Sequence, residues 1–267
     1  MSTELLTRDD APFGEAVWAA IDGAVLGAAK SRLTGRRILH ADGPFGLGLT
    51  AIPRGEGPLT GGLSVNPPLP LAMIRKTFTL PVRDIATIED AGVPVSLPAA
   101  AATGVECARM EDALVFKGAD KLGISGLLTG KGAHRATLRD WKDVGTAAED
   151  VIEAVTALDG AGFAGPYILA LAPPLYNRLL RRYPQGNATE LEHIRTIVTE
   201  GVVKAPSIDR GGVLLAAGRQ FASIVLGQDL VTGFLGPGEE GFEFLVSESL
   251  TLRLAEPRAV VVLKPAG

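Results

Sequence analysis

Phe45-Gly-Leu-Gly-Leu-Thr-Ala-Ile52 and Leu71-Ala-Met-Ile-Arg-Lys-Thr-Phe-Thr-Leu80 flank a segment punctuated by Pro53, Gly55, Gly57, Pro58, Gly61, Gly62, Pro67, Pro68 and Pro70. The two runs read as strand-like arms joined by a turn-rich tip, because the prolines and glycines stop either run from continuing as helix. Two strands alone cannot bury a hydrophobic face, and an isolated hairpin is marginal in water. The 45–80 arm therefore needs something to lie on, either its own domain or a neighbouring copy.

The rest of the chain supplies the context. Its 267 residues suffice for one large core or two lobes. Apolar residues make up 46%, charged residues 21%, and the formal net charge is -4, which excludes a strongly basic nucleic-acid binder. Glycine (33) and proline (18) are abundant and predict many turns, while the apolar content of the same segments argues against disorder. Cys107 is the one cysteine, so no intrachain disulfide forms, and its place in a predicted helix reads as a packed small hydrophobe. Residues 1–10 are polar and acidic where a signal peptide would be basic and then apolar. No uninterrupted apolar run approaches the roughly 18 residues of a membrane helix. A cytoplasmic protein is expected.

Taken in order, Pro12 sets up a helix with Val17, Trp18, Ile21, Ala24, Val25 and Ala28 at helical spacing, stopped by Gly35. Arg36 and Arg37 follow, placed to answer the helix dipole or to hold an acidic partner. A long alanine-rich helix runs from Pro98 to Gly118. Thr146 and Glu149 predict a capping box for a third helix that Gly160 ends, and Tyr167 to Leu171 reads as a buried strand. A helix over 174–182 and another ending at Gly201 are separated by the turn-forming Tyr183-Pro-Gln-Gly-Asn187. The last third alternates in strand fashion over 213–216, 221–226, 242–246, 250–254 and 259–263. Helices in the middle and strands gathered at the end predict an α+β protein with two lobes.

Motif matches carry no chemistry. Gly160-Ala-Gly162-Phe-Ala-Gly165 has the letters of a dinucleotide fingerprint, but it follows a helix and precedes a strand, the reverse of a phosphate cradle. Gly130-Lys131 lacks the hydroxyl ligand of a phosphate loop, since Gly132 stands there. His40, His134 and His193 have no ligand-spaced partners, and Glu239, Glu240 and Glu243 read as solvated charges. No catalytic constellation stands in the sequence, and since such sets assemble in space an enzyme stays open at this point; no metal and no cofactor are expected.

Several separated stretches together resemble the encapsulin shell-protein family, also called linocin or bacteriocin-like proteins. They are Leu6-Thr-Arg8, Ala11-Pro12, Trp18, Ile21-Asp22, Gly35-Arg36-Arg37, Asp42-Gly43-Pro44, Phe78-Thr79-Leu80, Glu111-Asp112, Phe116-Lys-Gly118, Gly123-Ile-Ser-Gly-Leu127, Gly165-Pro166-Tyr167, Leu226-Gly-Gln-Asp-Leu230, Gly233, Glu248-Ser-Leu-Thr251 and Glu256-Pro257. Each is weak alone, but their collinearity over nearly the whole chain is specific.

The resemblance implies the tailed-phage major capsid fold of the Hong Kong 97 type, self-assembling as about sixty copies into a hollow icosahedral compartment. It divides the chain into a lumen-facing N-terminal helix region (1–44), an extended loop laid over neighbours (45–80), a peripheral lobe (81–122 and 223–267) and an axial lobe (123–222). By position, Ile21, Val25, Ala29, Leu33, Arg36, Asp229 and Leu230 are candidates for binding a short targeting peptide on a cargo enzyme. That enzyme is typically a ferritin-like protein or a dye-decolourising peroxidase, serving iron storage or oxidative-stress defence. Tyr183, Pro184, Gln185, Gly186 and Asn187 match the loop that lines a pore. Ala28 and Ala29 stand where bulky apolar residues are usual, and His40 where an acidic residue is common, which predicts a shallower groove. Arg83 replaces an aromatic that some members associate with flavin, so no flavin is expected. A prophage capsid protein, which shares the fold, and a soluble hydrolase are the rival readings.

Overall fold

The computed structural model describes residues 6–55, 59–65 and 67–266; Gly57 and Pro58 of the predicted arm tip lie outside them. Chain order is α1 (Glu15–Lys30), β1 (His40–Asp42), β2 (Ala51–Pro53), β3 (Pro68–Pro70), β4 (Ala72–Leu80), α2 (Val82–Ala91), α3 (Pro98–Lys117), β5 (Gly118–Ala119), β6 (Ile124–Ser125) and β7 (His134–Leu138). There follow α4 (Thr146–Gly160), β8 (Tyr167–Leu171), α5 (Pro173–Arg178), α6 (Glu190–Ile197), β9 (Gly201–Lys204), β10 (Gly212–Ala216), β11 (Ala222–Pro237), β12 (Phe242–Leu254) and β13 (Val260–Pro265). Two compact units result. The first gathers the chain up to Leu33 with Asp42–Glu111 and Val225–Thr251; the second gathers Thr34–Ala41, Asp112–Ile224 and the chain from Leu252 onward.

In the first unit, β4 pairs antiparallel with β12, Leu80 opposite Phe242 and Ala72 opposite Leu250. The inward residues of these strands and of α1 build an aromatic cluster. Phe78 stacks on Phe244 at 5.1 Å, and Trp18 meets Phe244 edge-on at 5.8 Å. The helices approach so closely that a Cβ on Gly104 of α3 would collide with the carbonyl oxygen of Val25 in α1.

The arm differs from the expectation of two matched strands. Among the described residues Ala51–Pro53 pairs with Pro68–Pro70, with Arg54 donating to the Pro67 carbonyl and Leu71 to that of Thr50 at its ends, while the returning run β4 pairs with β12 instead. The root of the outgoing run is moored to β11: the Phe45 and Gly46 amides donate to the carbonyls of Leu226 and Gly227 at 3.0 and 2.6 Å. Beyond the short ladder, Leu59, Leu63 and Val65 stand 73%, 77% and 73% exposed.

The second unit is built on a five-stranded mixed sheet ordered β7-β13-β10-β8-β9. Its central strands β8 and β10 are buried along their whole length, which is why both read as continuous apolar runs. Trp141, Val151, Leu158, Leu169, Ile194 and Leu214 fill the core beneath α4 and α6. Because β13 pairs parallel with β7 and antiparallel with β10, the last strand belongs to this sheet. The expected grouping of all of 223–267 with 81–122 therefore divides: Val225–Thr251 lies in the first unit and the chain from Leu252 in the second. Hydrogen-bond partners far apart in sequence, rather than strand order, decide this.

The expected Thr146–Glu149 capping box is absent. Gly145, with φ 107°, is the N-cap of α4 and has no capping side chain. Instead the fully buried carboxylate of Glu190 accepts the amides of Gly145, Ala147 and Ala148 on Oε1 at 2.9, 3.0 and 3.2 Å. It satisfies donors that a helix start leaves without intrahelical partners. The capping box of this chain is at α6, where Thr189 Oγ1 accepts the Glu192 amide and Glu192 accepts the Thr189 amide at 2.6 Å.

Candidate functional site

The helical stripe expected to wall a peptide groove is consumed by packing. Ile21 and Val25 are 0% exposed, Ala29 1% and Leu33 8%, all in the core of the first unit. Spacing of apolar residues at i, i+4 and i+8 is shared by a groove wall and a core stripe, so the periodicity alone did not separate them. The opposite face of α1 presents Ala16, Ala19, Gly23 and Gly27, all exposed. Arg36 falls in the second unit, half-buried in the turn Gly35–Arg37.

Asp229 and Leu230 do meet an open surface. Together with Phe45, Leu47, Gln228 and Val231 they line a cleft of about 490 Å³ at the root of the arm, within the first unit. Phe45 offers an exposed ring at its rim, 62% accessible. Asp229 is exposed and its Oδ1 accepts the Leu230 amide at 2.8 Å, while Leu230 is nearly buried. The strand is held from behind by the Gln228 amide, which donates to Ser249 Oγ at 2.8 Å. Gly227 is closely packed here: a Cβ would lie 2.5 Å from Ser249 Oγ and 2.9 Å from Leu71, so those side chains would have to shift. The cleft thus combines an apolar lining with a carboxylate on a rigid strand. Neither Phe45 nor Leu47 carried a sequence signal for this role beyond belonging to the arm.

Tyr183-Pro-Gln-Gly-Asn187 forms a tight surface loop in the second unit. It is closed by the Arg182–Thr189 bridge and by the Tyr183 amide on the Ala188 carbonyl at 3.1 Å. Pro184 through Ala188 are exposed. The Tyr183 hydroxyl meets His193 Nδ1 at 2.8 Å, and burial raises the tyrosine pKa, with Glu190 and Glu149 adding to the shift. Arg181 is committed below the loop: Nη1 donates to the Lys142 carbonyl at 2.6 Å and Nε to the Arg178 carbonyl at 2.9 Å. Arg182 stands exposed beside it.

Cys107 is buried, and its thiol is pushed up to about 12, first by burial and then by the nearby Glu248 carboxylate. A raised pKa keeps the sulfur protonated at pH 8, so alkylation of the native protein by iodoacetamide is expected to run at least about a hundredfold slower than for a free cysteine. A rate within tenfold of the free thiol would contradict this. By the same sign, native stability is full below the ordinary thiol value of 9.0 and falls as pH rises toward 12. The glycine pattern at 160–165 lies between the end of α4 and the start of β8, the wrong order for phosphate binding.

A family model described as encapsulating protein for peroxidase (Linocin_M18) matches residues 3–251. The chain belongs to the encapsulin shell-protein family. It is similar to the type 1 encapsulin shell protein EncA of Myxococcus xanthus, 32% identical over 99% of this chain and 98% of the relative. Among solved structures it resembles a virus-like particle from Pyrococcus furiosus with a TM-score of 0.74 and 22% identity, covering 92% of this chain and 98% of that one. The capsid of Myoviridae phage XM1 follows at TM-score 0.61 and 11% identity, covering 86% and 90%. The encapsulin fold here is therefore the α+β fold of tailed-phage capsid proteins, as the collinear motifs predicted.

Proposed function

We propose that this encapsulin subunit assembles into a closed icosahedral shell of about sixty copies. The shell encloses a cargo enzyme carrying a short terminal targeting peptide. The observation that carries the reading is the arm: its apolar residues Leu59, Leu63 and Val65 stand exposed on a ladder too short to be stable by itself. An apolar arm of this kind finds its burial on a neighbouring copy, and closed symmetry repeats that contact without leaving a free end. The family description supports a peroxidase cargo for oxidative-stress defence, and a relative from Pyrococcus furiosus named as a ferritin-like-encapsulin shell fusion protein supports a ferritin-like cargo for iron storage as the second class. Among the described residues no helix is long and apolar enough to cross a membrane. Membership of the encapsulin family supports a compartment in the cytoplasm. The subunit's role is structural rather than catalytic.

Within the subunit, the second unit is assigned to the axial lobe and Tyr183 to Asn187 to a pore on its symmetry axis. The peptide is assigned to the cleft of Phe45, Leu47, Asp229 and Leu230, because Ile21, Val25 and Ala29 are packed out of reach. An extended peptide there would place apolar side chains in the lining and a basic or amide group near Asp229. The test is co-purification of a fluorescent protein fused to the terminal tail of an oxidoreductase encoded beside this chain. Leu47→Asp is expected to cut loading at least tenfold while particles still form. Loading that is unchanged in intact particles would remove the cleft from the account.

A further inference from the structure

A second cleft, of about 400 Å³, lies wholly within the second unit. Arg36, Arg37 and Arg219 are among its lining residues, with His40 beside them and Glu200 as the one acidic residue of the lining. The sequence allowed the tandem arginines to be answering the dipole of α1, but that helix ends at Lys30, which occupies its last turn. Arg36 and Arg37 stand instead on the separate turn Gly35–Arg37. The buried Asp112 carboxylate holds that turn from below, accepting the Thr34 amide at 3.0 Å on each oxygen and the Gly35 amide on Oδ1 at 2.8 Å. Gly35 sits so close to α3 that a Cβ would lie 3.1 Å from Val115 Cγ1. The backbone presenting the two arginines is therefore set before any ligand arrives.

Concave walls of one sign concentrate the field at their centre. With three arginines against one carboxylate the cleft carries a formal excess of two positive charges. We propose that it binds a small phosphate-bearing dianion, of the phosphate or diphosphate class. A guanidinium offers its N–H donors in a planar fork that pairs bidentately with two phosphate oxygens, and several such forks on fixed backbone suit a tetrahedral group with oxygens on every side. The lining residues all belong to the second unit, so the site does not depend on the peptide cleft of the first.

The test is isothermal titration of the full-length protein with inorganic pyrophosphate in low-salt buffer, with citrate as a carboxylate counterpart. Saturable binding at about one site per chain is expected, weakening as salt is added. Arg37→Gln with Arg219→Gln, both at exposed positions, is expected to weaken it at least tenfold. Lys131→Gln, also exposed and outside the cleft, is expected to leave it unchanged. No saturable binding below about 1 mM, a double variant that titrates like the parent, or citrate binding as tightly as pyrophosphate would each overturn the assignment.

Discussion

Replacing Glu190 with alanine is expected to lower the stability of the second unit by about 3–5 kcal/mol. The Glu190 side chain is fully buried, and its Oε1 is the acceptor for three amides at the start of α4. Oε2 faces Arg181 Nη2 at 3.6 Å. Alanine would strand the amides without acceptors in a site closed to water and leave the guanidinium without its carboxylate. Glu190→Gln keeps one carbonyl acceptor but turns an amino group toward either the helix start or Arg181, so about half the loss is expected. Trp141 is buried beside this helix and donates to Asp150 at 2.7 Å, which makes it the reporter for urea unfolding once Trp18 is replaced by phenylalanine. A loss below about 1 kcal/mol would mean that water or another group caps α4.

Charging the arm has the other large effect, on assembly rather than folding. Leu63→Asp with Val65→Asp is expected to abolish particles while leaving the subunit folded. Both side chains are outside the subunit's own core, so its stability should move by no more than about 0.5 kcal/mol. On a neighbour the same positions would each lose about 1.5–3 kcal/mol of apolar burial and place a carboxylate in a dry contact, at every repeat of the shell. Sedimentation reads the first effect and circular dichroism the second. Particles of normal yield from the doubly charged arm would show that the tip contributes nothing to assembly.

Much of this fold was legible in the sequence wherever a local rule and the tertiary environment agreed. Tyr167–Leu171 is a buried central strand and reads as an unbroken apolar run; Pro98 and Gly118 bracket α3 as start and stop signals. α2 was less visible, because only Ile85 and Ile88 of its residues are buried and most of the remaining positions are polar or exposed. β11 and β12 run for 16 and 13 residues, yet they read as shorter pieces. Gly227 and Gly233 break the apolar pattern of β11, and the reason is tertiary: a Cβ on Gly227 would meet Ser249, and one on Gly233 would meet Leu6. The cap of α4 was misread for the same kind of reason, since Glu190 reaches it from more than 40 residues away.

The candidate site was legible only in part. Family position led to Asp229 and Leu230, which line an open cleft, and to Ile21, Val25, Ala29 and Leu33, which the core consumes. A helical stripe has one signature for both fates, and only the partner elements in space decide which applies. Arg36 was singled out with Arg37, but Arg219, the third arginine of the cleft, comes from far along the chain.

Electron microscopy of the chain purified without cargo decides whether these subunits close into a shell. Uniform hollow particles with icosahedral symmetry, their subunits bridged by the 45–80 arm, are the expected result. A monodisperse monomer or dimer across a range of salt and protein concentrations would contradict it, and would mean that the exposed arm has no neighbour to cover.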